Sequence, residues 1–216
     1  MKRLGDPPYV CLITPGQSTP SNFETEKLVI LDTVRDAIED GVSLVQIREK
    51  ALFGRQLFEL VRAAVSLSRT APGLIFVNDR PDIAIAAGAD GVHLPETSLP
   101  PDVVRRSFPP KLVIGVSTHS IDTARAAADS GADYVFFGPV FDTTGKGPAR
   151  GTEALRELCI GLQPFPVIAL GGINKDNLDD AFEAGAAGIA AIRSLNVKES
   201  RLAILQKAKR FLGKAG

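Results

Sequence analysis

The sequence has few cysteines, no excess of charge of either sign and no long apolar run. Its two cysteines, Cys11 and Cys159, lie far apart without a CxxC pair, which excludes a disulfide framework and a four-cysteine zinc site. The 25 basic and 25 acidic residues give zero formal charge, which argues against nucleic acid as a partner. No apolar stretch approaches the ~20 residues of a membrane span, and the start lacks an apolar signal core. These absences predict a cytoplasmic protein that binds neither nucleic acid nor a membrane.

The 216 residues repeat one pattern four times: a helix-like stretch, a glycine, a small or polar residue and a short apolar run. The four glycines are Gly41, Gly88, Gly131 and Gly185. Glycine accepts a positive φ and so ends a helix, and the apolar run behind it is typical of a strand buried on both faces. With the remaining apolar runs, the chain predicts eight strands, near 9–14, 44–48, 74–77, 90–94, 112–116, 134–138, 165–170 and 187–192.

Amphipathic stretches follow most of these strands, as in 57–67, where apolar residues recur at helical spacing. Eight short strands that alternate with helices predict an α/β protein, a single-domain (β/α)8 TIM barrel of parallel strands. The domain spans 1–216, with its core at about 9–195 and a C-terminal helix at about 197–212. A doubly wound open sheet is the alternative, but it usually has fewer strands, and no GxGxxG follows the first strand.

A barrel carries its catalytic groups at the C-terminal ends of its strands. After the second strand come Gln46, Arg48 and Lys50, which share one face of an extended segment and together make an anion site. The alternative is a solvated loop in which Glu49 balances the charge. After the third strand, Asp79 is either a Mg²⁺ ligand or the N-cap of the next helix.

The chain's two histidines, His93 and His119, fall at the ends of the fourth and fifth strands. Because histidine titrates nearest neutral pH, His119 at the barrel mouth is the better acid–base candidate, while His93 also suits a packing role. The loop 138–148 after the sixth strand is rich in glycine and proline and carries Lys146. Such a loop suits closure over a phosphate, or is a surface loop whose lysine is only solvated.

Gly171 and Gly172 follow the seventh strand, and a short helix is expected after the eighth, near Arg193. In TIM barrels this position commonly binds phosphate through backbone N–H groups and a helix N-terminus. The residues therefore predict one phosphate site at strands 7 and 8 and a second anion or metal site from strands 2, 3 and 6. Two anionic groups at one mouth indicate the joining of two phosphorylated molecules, or the rearrangement of one.

Six short motifs in register over 9–195 resemble the thiamine phosphate synthase family. The motifs are Gln46-Ile47-Arg48-Glu49-Lys50, Asn78-Asp79-Arg80, Ala89-Asp90-Gly91-Val92-His93-Leu94, Ile114-Gly115-Val116-Ser117-Thr118-His119, Gly138-Pro139-Val140-Phe141-Asp142-Thr143 and Ala169-Leu170-Gly171-Gly172-Ile173. The resemblance implies a TIM barrel that joins hydroxymethylpyrimidine diphosphate to a thiazole phosphate and releases diphosphate, with Mg²⁺ as cofactor. In that chemistry diphosphate leaves first, and the thiazole nitrogen then traps the pyrimidine cation.

Carried over position by position, the resemblance also implies roles for individual residues. The diphosphate would be held by Gln46, Arg48, Lys50, Asn78 and Lys146. Asp79 would hold Mg²⁺, and Thr143 and Ser117 would line the centre. The thiazole phosphate would be held by Gly171, Gly172, Ile192 and Arg193. The catalytic candidates are Lys50, Ser117, His119 and Lys146.

The chain departs from the family pattern at its second Mg²⁺ ligand. An aspartate of the family corresponds to Ser98 here, and Glu96, two residues away, is a candidate substitute. The stretch 94–120 resembles a sister branch, the thiazole tautomerases, in which a histidine at the position of His119 transfers protons without a metal. A non-catalytic binder of thiamine-related phosphates is a third alternative, because this fold hosts many chemistries. Whether the chain forms a homo-oligomer is left open.

Overall fold

A computed structural model shows eight parallel strands that close into a barrel in chain order, with β8 paired to β1. The predicted (β/α)8 barrel is therefore confirmed. The structure describes residues 4–69, 71–108, 112–143, 145 and 147–211. The strands are β1 Tyr9–Ile13, β2 Leu44–Ile47, β3 Leu74–Asn78, β4 Gly91–Leu94, β5 Val113–Thr118, β6 Tyr134–Phe137, β7 Val167–Leu170 and β8 Gly188–Ala191.

Helices alternate with the strands over the described ranges, and the predicted helix ends are confirmed. Gly41, Gly88, Gly131 and Gly185 all have positive φ, between 76° and 105°. None of the helices described is both long and apolar enough to cross a membrane. The helices are α1 Phe23–Asp40, α2 Gly54–Ser68, α3 Pro81–Ala87, α4 Pro101–Ser107, α5 Ile121–Asp129, α6 Gly151–Leu162, α7 Leu178–Glu183, α8 Arg193–Asn196 and α9 Lys198–Ala208, followed by a 3₁₀ turn at Lys209–Phe211.

Alternate residues of each strand build two apolar layers. Side chains such as Leu44 and Phe76 point into the ring, where they form one buried cluster. Their neighbours Val45 and Val77 point outward and pack in a second, larger cluster with the helices. This alternation follows from the two-residue repeat of a strand, and it explains why the strands are apolar throughout.

The centre of the barrel is filled by aromatic side chains. The rings of Phe76 and Tyr134 meet edge to face, with centroids 5.8 Å apart. A Cβ at Gly115 would lie 2.1 Å from Cζ of Tyr134, so only glycine leaves room for this ring. Because the centre is packed, we expect a ligand at the C-terminal end of the barrel, where TIM-barrel enzymes carry their active sites.

Candidate active site

The end of β2 brings Arg48 to the mouth and ties it to the loop between β1 and α1. The backbone N–H of Arg48 donates to Oγ1 of Thr14 at 2.8 Å. Glu49 is only 2% exposed and accepts hydrogen bonds from the backbone N–H groups of Gly16 at 3.0 Å and Ser18 at 2.8 Å. The alternative in which Glu49 is a solvated counter-charge is therefore wrong, because its carboxylate holds the β1–α1 loop in place.

Gln46 and Lys50 occupy different depths of the site. Gln46 is buried inside the ring, and its Nε2 has no hydrogen-bond partner among the residues that the structure describes. Lys50 is exposed in a turn, because β2 ends at Ile47 and Glu49 then turns inward to the β1–α1 loop. The predicted extended face running through Lys50 is therefore wrong, although Lys50 still lies just beyond the C-terminal end of β2.

Asp79 follows β3 in the left-handed conformation, with φ 59°, which is uncommon for a residue other than glycine. Its backbone N–H donates to the carbonyl oxygen of His93 at 2.9 Å, and its exposed carboxylate accepts a hydrogen bond from the hydroxyl of Ser98. Helix α3 has Arg80 as its N-cap, without a side-chain cap bond. The N-cap alternative for Asp79 is therefore wrong. Asn78 ends β3 and is half-buried.

His119 lies directly after β5 with its ring oriented by a backbone carbonyl. Its Nδ1 is 2.5 Å from the carbonyl oxygen of Gly138. A carbonyl only accepts, so Nδ1 carries the proton, and Nε2 faces Oε2 of Glu96 at 4.0 Å. The side chain of His119 is 45% exposed, so this pair is open to a ligand.

His93 lies inside the ring below the mouth and contacts two other polar groups. Its Nδ1 is 3.2 Å from the hydroxyl of Tyr134, and its Nε2 is 2.9 Å from Oγ of Ser117. Its ring packs on that of Phe136, with centroids 4.0 Å apart. Burial lowers the pKa of His93 to about 3, so the imidazole is neutral near pH 7. Ser117 belongs to β5, which runs two residues past the predicted end at 116.

The loop after β6 lies along the end of β7. The backbone N–H of Phe141 donates to the carbonyl oxygen of Gly171 at 3.1 Å. A Cβ at Gly172, whose φ is +67°, would lie only 2.6 Å from the carbonyl oxygen of Asp142. The two glycines after β7 therefore allow the β6 loop to approach closely, in addition to any contact with a ligand.

Thr143 and Arg193 meet at the part of the rim formed by β6, β7 and β8. Nη2 of Arg193 is 3.5 Å from Oγ1 of Thr143, and Arg193 is exposed at the start of α8, directly after Ile192. Helix α8 is a single turn, so its dipole is small, and the Arg193 guanidinium brings a full positive charge to this part of the rim. Lys146, predicted to contact diphosphate, lies outside the described residues.

The donor set at Asp79 fits magnesium only together with a phosphorylated ligand. Within the described ranges, no three acidic, histidine or cysteine side chains come together as a metal site. Asp79 and the Ser98 hydroxyl supply one carboxylate and one neutral oxygen, and Glu96 faces His119 instead. Mg²⁺ usually takes one or two carboxylates and completes its shell with water and substrate phosphates, which this pair allows.

The family model described as thiamine monophosphate synthase matches residues 10–195. The chain belongs to the thiamine monophosphate synthase family. A thiamine-phosphate synthase of Chlorobium luteolum is 39% identical over 196 residues, which cover 89% of this chain and 87% of that protein. A putative thiamine-phosphate synthase 2 of Aquifex aeolicus is 40% identical over 187 residues, 86% of this chain and 96% of that one. The solved structure of a thiamine phosphate pyrophosphorylase from Pyrococcus furiosus matches with a TM-score of 0.82 and 32% identity, over 95% and 97% of the two chains.

Membership in the thiamine monophosphate synthase family confirms the resemblance found in the sequence, but two features of the site were missed. One is the contact of Tyr134 with His93, and the other is the anchoring of the β1–α1 loop by Glu49. The first follows from strand register, because Gly115 is paired with His93 on one side and with Tyr134 on the other and has no side chain between them. No local sequence pattern marks Glu49, because the N–H groups that it binds belong to Gly16 and Ser18 in the β1–α1 loop.

Proposed function

We propose that this chain is a transferase of thiamine biosynthesis that joins hydroxymethylpyrimidine diphosphate to a thiazole phosphate and releases diphosphate. Family membership supports the reaction, and one observation carries the assignment of roles. Arg48 at the end of β2 and Arg193 after β8 lie on the same rim of the closed barrel, with β1 between their strands. Two separated guanidinium groups on one rim suit two phosphorylated substrates.

The reaction breaks the C–O bond between the pyrimidine methylene and diphosphate, and it forms a C–N bond between that methylene and the thiazole nitrogen. The electron pair of the C–O bond leaves with diphosphate, so negative charge grows on the leaving group. Arg48 and Lys50 stabilise this charge, while Arg193 holds the thiazole phosphate in line for attack. The chain then contributes electrostatic stabilisation and positioning, and no nucleophilic side chain is required.

The burial of Gln46 supports a contact with a different part of the substrate from the one that Arg48 and Lys50 bind. Its Nε2 is buried and unpaired within the described part of the chain, and a buried donor left without a partner is costly. Diphosphate carries several negative charges and belongs at the exposed rim with Arg48 and Lys50. Gln46 therefore donates to an uncharged acceptor of the pyrimidine ring that enters the barrel, rather than to diphosphate.

Asp79, with Ser98 beside it, would hold Mg²⁺ together with diphosphate oxygens. When bound there, Mg²⁺ supplies positive charge that stabilises the departing diphosphate. Asn78 ends the same strand and is placed to donate an amide hydrogen bond to the same group. Magnesium dependence and a cytoplasmic setting stay predictions from the sequence, as does the role of Lys146, and the oligomeric state stays open.

The experiment that tests this function incubates the purified chain with both substrates and follows thiamine phosphate, with and without Mg²⁺. Product is expected, and its rate should fall in Arg48→Gln and in Lys50→Ala. Arg35→Gln is the matched control, because Arg35 is exposed on α1 and pairs with Asp32. The proposal is contradicted if the wild-type chain forms no product. It is also contradicted if Arg48→Gln and Lys50→Ala react as fast as the control Arg35→Gln.

The geometry of His119 favours a second candidate, a thiazole tautomerase. Its Nδ1 is held by the Gly138 carbonyl, and its Nε2 faces Glu96 across 4.0 Å at the open mouth, which is an arrangement suited to proton transfer. Isomerisation of thiazole carboxylate phosphate without metal, abolished in His119→Gln, would establish this activity. If neither reaction proceeds and phosphorylated ligands still raise the melting temperature, the chain is a binding protein.

A further inference from the structure

Three polar side chains form a continuous contact from the barrel centre to its mouth. The hydroxyl of Tyr134 lies 3.2 Å from Nδ1 of His93, and Nε2 of the same ring lies 2.9 Å from Oγ of Ser117. Tyr134 is 1% exposed and His93 is 2% exposed, whereas Ser117 is half-buried. The chain of contacts therefore starts in the packed interior and ends at a hydroxyl that a ligand can reach.

The surrounding packing leaves the two inner rings little freedom. The His93 ring lies against Phe136 at a centroid distance of 4.0 Å, and the Tyr134 ring meets Phe76 edge to face at 5.8 Å. The absence of a side chain at Gly115 allows the Tyr134 ring to occupy its place. The imidazole of His93 is therefore packed between the rings of Phe136 and Tyr134, and this packing sets the orientation of its two nitrogens.

The proton positions follow from which atoms are able to accept. Within the described residues, His93 Nδ1 is the acceptor found for the Tyr134 hydroxyl, and a buried hydroxyl that donates to no acceptor is costly. Tyr134 therefore donates to Nδ1. A neutral imidazole that accepts at Nδ1 carries its proton on Nε2, and this N–H donates to Oγ of Ser117. The Ser117 hydroxyl proton is then directed away from His93.

We infer that His93 is a positioning residue, locked by Tyr134 in the Nε2–H tautomer, which makes the Ser117 hydroxyl a hydrogen-bond donor to the ligand at the mouth. The identity of that ligand rests on the proposed function, in which the acceptor is a substrate oxygen that gains negative charge. The opposite tautomer would turn the Ser117 proton inward and present a lone pair to the same oxygen. The tautomer of a buried ring therefore decides whether Ser117 stabilises or repels the developing charge.

The direct test is the tautomer of His93 in the free protein. In His119→Gln, His93 is the sole histidine of the chain, so the ¹⁵N shifts and long-range ring couplings of a labelled sample belong to one residue. The Nε2–H form is expected at pH 7, and it should become mixed or inverted when Tyr134→Phe is added. An Nδ1–H ring in the presence of Tyr134, or a tautomer unchanged by Tyr134→Phe, overturns the inference.

Kinetics separate positioning from general packing. Tyr134→Phe keeps the ring but removes the hydroxyl, so kcat for thiamine phosphate formation should fall on the order of tenfold, with a smaller change in KM. Phe76→Leu is the control, since it loosens the packing on Tyr134 and leaves the hydroxyl intact. Combining Tyr134→Phe with Ser117→Ala should cost no more than Ser117→Ala alone, because Tyr134 acts through Ser117.

Two kinetic results would overturn the inference. One is an equal loss of kcat in Tyr134→Phe and Phe76→Leu at equal loss of melting temperature, and the other is full additivity with Ser117→Ala. A wild-type chain without synthase activity would instead overturn the proposed function. The tautomer measurement needs no substrate, so it decides the inference in that case as well.

Discussion

The hydroxyl of Ser98, in the loop after β4, donates a hydrogen bond to the carboxylate of Asp79, which follows β3. Asp79 holds this place with a left-handed backbone, and its N–H is bound to the carbonyl oxygen of His93. A residue kept in a sparsely populated conformation by surrounding bonds is typical of a functional position. The contact also shows that one carboxylate and one hydroxyl stand at the metal position expected from the sequence.

Asp79→Asn should reduce the Mg²⁺-dependent rate of thiamine phosphate formation and raise the Mg²⁺ concentration needed for half-maximal rate. Asparagine tolerates the left-handed backbone and keeps one acceptor for Ser98, so the change removes charge without disturbing the loop. The rate should be followed against Mg²⁺ concentration. Asp82→Asn is the control, because Asp82 is bound by Arg80. Equal Mg²⁺ curves for wild type and Asp79→Asn would contradict the assignment.

Gly172→Ala should lower the free energy of unfolding by about 1–3 kcal/mol, because alanine is strained at positive φ and its Cβ meets the β6 loop. The contact is with the Asp142 carbonyl oxygen at 2.6 Å, which belongs to backbone and cannot simply rotate away. Urea unfolding measures the change.

The control for this variant is Gly88→Ala. Gly88 also has a positive φ, +76°, but a Cβ there meets nothing within 4 Å. Gly172→Ala should therefore lose more stability than Gly88→Ala and show faster proteolysis within the β6 loop. Equal losses would mean that the backbone conformation alone, and not the approach of the loop, requires glycine.

The buried imidazole of His93 should make stability depend on pH. Burial lowers its pKa from 6.5 to about 3, so between these values the unfolded chain binds a proton that the folded chain does not. The free energy of unfolding should therefore fall as pH decreases below about 6.5, by on the order of 1 kcal/mol per pH unit. Tyr134, which faces the ring, has a raised pKa and stays neutral throughout.

His93→Gln isolates this contribution, because the carboxylates that also titrate in this range are common to both proteins. Chemical unfolding of each protein at pH 7, 6, 5 and 4 gives the difference in stability at each pH. The advantage of the wild type should shrink steadily toward low pH. A difference that is constant from pH 7 to pH 4 would show that His93 is not held neutral in the folded chain.

Glu49→Gln should destabilise the fold and weaken substrate binding together. The carboxylate accepts two backbone N–H groups with its two oxygens, and an amide offers one oxygen and turns an N–H₂ toward the other donor. The expected loss is about 1–3 kcal/mol, measured by urea unfolding, with a raised KM because the loop beside Arg48 loosens. Glu157→Gln on the exposed side of α6 is the control. An unchanged stability would contradict the anchoring role.

The fold could be predicted because its signals are local. Each strand is a short apolar run, and glycines such as Gly41 and Gly88 mark the helix ends through a conformation that other residues avoid. The rim residues could be placed because parallel strands of a closed barrel all end on one side. The backbone beyond Ile47 was predicted wrongly. The chain turns there, and the carboxylate of Glu49 accepts a hydrogen bond from the β1–α1 loop, a contact that no local sequence pattern encodes.

Residue order alone was enough for the eight-stranded ring and for the side on which Arg48, Asp79 and Arg193 emerge, because each depends on repeats within a few neighbouring residues. It was not enough for the pairing of His93 with Ser117 and Tyr134, or of Glu49 with Gly16, which join positions 24 to 41 residues apart. Those contacts depend on strand register and side-chain packing around the closed barrel. They exist only once every strand is in place.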